Sequence, residues 1–164
     1  MNKKYGLGVL LTLAVCIGLD QWTKYLAVCF LKGKEAIILI PGVLQLQYLE
    51  NRGAAFGILQ NKQWIFWILT AVFLIIALWF YRKVPKNRHY LPLILSVDIL
   101  VAGAIGNFID RISQQYVVDF IYFSLIDFPI FNVADIYVTL SVIALILLIF
   151  FHYKEEDFGF IKRA

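Results

Sequence analysis

YLPLILSVDILVAGAIGNFIDR, residues 90–111, decides the class of fold. From Tyr90 to Ile109 the run is apolar and holds one charged side chain, Asp98. A bilayer core needs about 20 residues of helix to cross it, so this stretch is long enough to span. At its far end the chemistry changes. Asn107, Asp110 and Arg111 stand at offsets of three and four, which places them on one helix face. Gly103 and Gly106 are small residues of the kind that let membrane helices approach closely.

Three more runs share this character: Tyr5–Leu31, Trp64–Tyr81 and Val133–Tyr153. The first, interrupted by Asp20, Gln21 and Lys24, would extend about 40 Å as helix, so its second half is expected to emerge among headgroups. With 164 residues, 62% apolar and 16% charged, the chain predicts one integral membrane unit and no second domain. The fold expected is all-α transmembrane, a four-helix membrane bundle, with a β segment outside it at about 34–60. Ala36–Ile40 is strand-like, Pro41-Gly42 signals a turn, and Val43–Tyr48 alternates Leu with Gln. Trp64, Trp67 and Tyr48 are suited to anchor this small sheet at the interface.

Nine of the fifteen Lys and Arg fall at the N-terminus, in the 82–88 loop and in the C-terminal tail. The positive-inside rule then puts both termini in the cytoplasm, with 32–62 and 111–132 outside. Arg82, Lys83, Lys86 and Arg88 share a short connection and read as a topology determinant, not a nucleic-acid surface. Cys16 and Cys29 are about 20 Å apart on one helix, too far for a disulfide. Each ends a Leu-Ala-Val-Cys string, but the bulky Val and the spans that follow argue against a cleaved leader. The first helix is expected to be retained.

The polar residues near the spans are grouped. Asp20 and Lys24 share a helix face. Asn132 and Asp135 flank the start of the fourth helix, where Asn is also a favoured N-cap. With Asn51-Arg52-Gly53 they point to one layer at the outer ends of the helices. Asp119, in Val117-Val118-Asp119-Phe120, and Asp135, in Phe131-Asn132-Val133-Ala134-Asp135, are acids in strongly apolar settings. Two such carboxyls can share a proton, leaving a base beside an acid able to activate water against an amide. From the residues alone, an ion or proton site and a purely structural role stay open. Asp98, about half a turn from Asn107 and deeper, is placed outside the site. No His-Glu-x-x-His, Gly-x-Ser-x-Gly or phosphate loop occurs, and His89 and His152 lie at the other end, so no metal is expected.

Asp20-Gln21-x-Thr23-Lys24, Asn51-x-Gly53-Ala54-Ala55-Phe56, Gly106-Asn107-x-x-Asp110-Arg111, Val117-Val118-Asp119-Phe120 and Phe131-Asn132-x-Ala134-Asp135 occur in that order. Together they resemble the lipoprotein signal peptidase family, signal peptidase II, over about residues 5–153. The resemblance implies four membrane helices with an extracytoplasmic β-cradle, no cofactor, and cleavage before the diacylglyceryl-modified cysteine of prolipoproteins. It implies Asp119 and Asp135 as the catalytic pair, with Asp20, Lys24, Asn51, Gly53, Asn107, Arg111, Asn132 and Ala134 shaping the site. It implies a multi-pass enzyme of the bacterial cytoplasmic membrane with its site facing outward. Its partners would be lipid-modified prolipoproteins and membrane lipids, with no nucleic acid and a monomer as the expected state. Asp98 stands where the family carries an apolar residue.

Overall fold

The structure is a computed structural model, described here for residues 3–53 and 62–162. Ala54, Ala55 and Phe56 of the second motif lie outside the described residues, as does the end of the expected β segment. Four helices are long and apolar enough to cross a membrane. They are α1 (Lys3–Leu31), α2 (Gln63–Lys83), α3 (Leu91–Gln114) and α4 (Val133–Leu147). A π turn at Leu148–His152 lengthens the last span, with Tyr153 N–H bonded five residues back to the Leu148 carbonyl at 2.9 Å.

Expected bounds and observed bounds differ most in α3. The hydropathy drop after Ile109 suggested an end there, yet the helix runs on to Gln114 and stops at Gln115, whose φ is 65°. Asp110 and Arg111 are therefore helical, held in the last two turns. The second span gains Gln63 at its start, and Arg82 and Lys83 in its last turn favour the helix dipole there.

Outside the bundle lies a three-stranded antiparallel sheet in the order β1-β2-β3. β1 (Ile37–Ile40) and β2 (Leu44–Asn51) flank the expected turn at Pro41-Gly42. There Gly42 takes a φ of 72°, and Val43 N–H reaches the Ile40 carbonyl at 3.0 Å, the type II pattern that needs glycine at its third position. The sequence did not announce β3 (Val117–Phe123). Its first four residues are all buried, so it lacks the alternation that marks a half-exposed strand. Register places Leu49 opposite Asp119 and Asn51 opposite Val117. The strand is tied to the entrance of α4 by Phe120 and Ile121 N–H bonds to the Phe131 carbonyl, at 3.0 and 2.8 Å.

Packing is concentrated at the two ends of the bundle. At one, Val84, Tyr90, Leu93, Ile94, Tyr153 and Phe160 form a core, so the 84–90 connection and the C-terminal tail lie together against Val9 of α1. At the other, Ala27 and Leu31 of α1 meet Val118 and Phe120 of β3. Between them the helices turn large apolar side chains outward, such as Ile75 at 68% and Phe150 at 75% exposure, as a lipid-facing surface must.

α3 packs closely on α4 at Gly103. A Cβ there would fall 2.6 Å from the Ala134 carbonyl oxygen and 2.9 Å from Val138 Cγ2. Backbone cannot yield as a side-chain tip can. Gly103→Ala is expected to destabilise the bundle by about 1–3 kcal/mol, read as a lowered unfolding midpoint in detergent.

Candidate active site

The site grows from the first turn of α4. Asn132 is its N-cap, in extended conformation, and its side-chain oxygen accepts from Asp135 N–H at 3.0 Å. In return Asp135 Oδ2 accepts from Asn132 N–H at 3.1 Å, completing a capping box with Asp in the place usually held by Glu. The capping role read from sequence is real, but it is half of what Asn132 does. Its Nδ2 also donates to Asp119 Oδ1 at 2.6 Å and to Asn107 Oδ1 at 3.1 Å. One buried residue thus donates to both acids, to Asp119 from its side chain and to Asp135 from its backbone.

The remaining carboxylate oxygens have donors of their own. Asn107 Nδ2 donates to Asp135 Oδ1 at 2.8 Å, and Asn51 Nδ2 donates to Asp119 Oδ2 at 2.8 Å. None of the three amides can turn over. Asn107 Oδ1 receives the Lys24 ammonium at 2.9 Å, and Asn51 Oδ1 receives Gly53 N–H at 3.0 Å. Asn132 Oδ1 is occupied by a backbone donor, so a flipped amide would face donor to donor in each case. Asp119 is 1% exposed whereas Asp135 is partly open. Burial, and then the neighbouring Asp135 charge, push the Asp119 carboxyl up to about 7, against the opposing pull of Asn51, Asn132 and Lys24.

Beneath this layer Lys24 is buried at 3% exposure and fully paired. Its ammonium meets Asp20 Oδ2 at 2.9 Å and Asp110 Oδ2 at 3.1 Å besides Asn107. Asp20 Oδ1 in turn accepts Ala134 N–H at 2.9 Å, an orphan donor of α4, and Asp110 Oδ2 accepts Val118 N–H at 3.1 Å. Gly106 leaves the room this requires, because a Cβ there would lie 2.4 Å from Asp20 Oδ2. Arg111 lies with its guanidinium carbon 4.4 Å from the Phe66 ring centre and reaches the Gly53 carbonyl at 3.4 Å. Its Nε is buried with no partner among the described residues, leaving a donor to spare.

All ten residues singled out from sequence therefore fall in one connected cluster at one end of the bundle. Two neighbours were quoted in motifs without a role. Gln21 Nε2 is shared by Asp20, the Gly106 carbonyl and Asp110 at 3.0–3.2 Å, and Asp110 carries the load described above. Nothing in spacing separates a Gln that knits two helices from a surface Gln. Asp98 lies far off on α3, seven residues from its start, with Oδ2 unpartnered among the described residues. Near it the Lys86 ammonium rests 4.0 Å from the centre of the Tyr81 ring.

The family described as Signal peptidase (SPase) II matches residues 12–151. The chain belongs to the signal peptidase II family. A lipoprotein signal peptidase of Streptococcus thermophilus (strain CNRZ 1066) is 48% identical over 141 residues, covering 86% of this chain and 89% of that one. One from Streptococcus pyogenes serotype M5 (strain Manfredo) is 40% identical over 149 residues, covering 91% and 95%. A bacterial membrane enzyme solved by the in meso method at 2.3 Å superposes with a TM-score of 0.80 at 36% identity, covering 90% of this chain and 92% of the other. All five motif blocks lie at least partly within the matched range.

Removing Lys24 tests the signal peptidase site from below. Lys24→Met leaves Asp20 and Asp110 buried without their cation, and breaking such a pair costs about 3–5 kcal/mol. A correspondingly lowered midpoint in denaturation from mixed micelles is expected.

Proposed function

We propose that Asp119 and Asp135 are the hydrolytic pair of this peptidase and cleave lipid-modified precursors just before the diacylglyceryl-modified cysteine. As a signal peptidase II the protein removes signal peptides from prolipoproteins. The observation that carries the residue assignment is Asn132 itself, which donates to Asp119 Oδ1 from its side chain and to Asp135 Oδ2 from its backbone N–H, joining a buried acid to a partly open one across 16 residues of sequence. Every carboxylate oxygen of the pair accepts from a donor that cannot rotate away. Aim is thereby fixed before substrate arrives, and the remaining lone pairs are left for a water.

The pair holds one proton and titrates as a unit. Its ionised carboxylate takes a proton from water as the water oxygen bonds to the scissile carbonyl carbon. The protonated carboxyl gives its proton to the developing oxyanion. Collapse of the gem-diol breaks the C–N bond; the leaving nitrogen takes a proton from the pair, and one gem-diol hydroxyl returns its proton to the pair as the new carbonyl forms. One proton remains on the dyad, ready for the next turn. Arg111, with a donor unspent, binds a carbonyl of the substrate backbone, and Gly53 lets that backbone pass close. The acyl chains lie between helices and the sheet clamps the peptide from outside. A monomer suffices, since every residue invoked belongs to one chain. The basic loop and tails place both termini in the cytoplasm and the dyad at the outer face.

Asp119→Asn and Asp135→Asn should each lower cleavage of a synthetic lipidated precursor by at least about a thousandfold, with the protein still inserted and folded. Near-normal turnover by either purified variant refutes the scheme. With the Asp119 carboxyl raised to about 7 by burial and the Asp135 charge, the proton the pair shares is retained below that pH and lost above it. The cleavage rate is therefore expected to fall as pH climbs through about 7, and a profile flat to pH 9 would count against a shared proton.

A further inference from the structure

The end of the sheet remote from the dyad is unusually apolar. In β1 all four residues, Ile37, Ile38, Leu39 and Ile40, are 46–61% exposed, although alternate positions on a strand point to opposite faces. β1 is also an edge strand, a position where soluble proteins avoid such a row. A second group stands beside it. Ser124 N–H bonds the Val43 carbonyl at 2.9 Å, which brings the turn after β3 against the β1–β2 turn. That turn exposes Leu125 at 61%, Ile126 at 66% and Phe128 at 47%. Its one acid, Asp127, is engaged by the Tyr122 hydroxyl at 2.6 Å. Seven large apolar side chains thus make one patch of a kind that monomeric surfaces rarely leave bare.

We propose that this tip is a membrane-docking surface that inserts into the bilayer leaflet on the dyad's side of the membrane. The occupant is argued from continuity. The lipid-facing surface of α1 continues through exposed Trp22, Tyr25 and Phe30, and β1 begins only six residues after α1 ends. Lys34 folds back at that junction, donating to the Cys29 carbonyl at 3.4 Å with its ammonium 5.9 Å from the Phe30 ring centre. An ammonium so placed stays at headgroup level while apolar side chains go deeper. From Ala36 to Leu44 the chain has no polar side chain at all. The bilayer thus holds one end of the sheet while Asn51, at the other end of β2, holds Asp119. The inference rests on the dyad end being outward, but it is read out separately from catalysis.

The test uses full-length protein in phosphatidylcholine–phosphatidylglycerol vesicles, with Cys16 and Cys29 replaced by Ser. Single cysteines placed by Ile38→Cys, Leu125→Cys or Gln47→Cys carry a nitroxide, Gln47 being an exposed polar residue of β2. The ratio of collisions with oxygen to collisions with a water-soluble nickel chelate should be at least about fivefold higher at 38 and 125 than at 47. Equal ratios at the three sites overturn the proposal. So does spin–spin broadening at 38 or 125, which would identify a second copy of the chain as the occupant. Cleavage of a lipidated precursor by the same labelled proteins keeps the functional assignment a separate result.

Discussion

A single buried ammonium organises the end of the bundle that holds the candidate site. Lys24 faces Asp20, Asp110 and Asn107 at once, and each of these carries the connection further. Asp20 reaches the first turn of α4, Asp110 reaches β3, and Asn107 reaches Asp135. Four elements, α1, α3, β3 and α4, are thereby held in register around one charge. Within a membrane this is a favourable place for an ion pair, because hydrocarbon offers no competing partner and each ion finds its full set of hydrogen bonds.

Above that foundation, geometry is set by amides with no freedom left. An asparagine near a carboxylate would ordinarily tolerate either orientation. Here each one has its oxygen taken by a donor, twice a backbone N–H and once the ammonium. The acids consequently meet N–H groups whatever their protonation state, and a proton that moves during hydrolysis need not drag the surroundings with it. Such preorganisation is what makes polar groups effective in a dry site.

Much of this could be read in the sequence, for identifiable reasons. Runs of about twenty apolar residues have one stable outcome in a bilayer, so the four spans were legible. Asp119 and Asp135 stood out because charge is costly beside valine and phenylalanine. Asn132 was visible as a helix start through its capping chemistry. The third strand was not, since Val117–Phe123 is covered on both faces at its start and gives no alternation. Nor was the extension of α3 past Arg111 to Gln114, because hydropathy reports where lipid ends and not where hydrogen bonding ends. Asn51 was named through its motif, without a partner, and stands at the end of β2. Its bond to Asp119, 68 residues away, depends on a register that only the folded sheet supplies.

The capping box at the start of α4 has a further meaning. On the proposed assignment Asp135 serves its helix and the chemistry with the same two oxygens, so fraying of the first turn would misdirect the group that activates water. Local melting there would silence hydrolysis while the rest of the bundle stayed intact. A protease embedded among countless other membrane helices thus carries a safety catch: it is armed only when that one turn of backbone is wound.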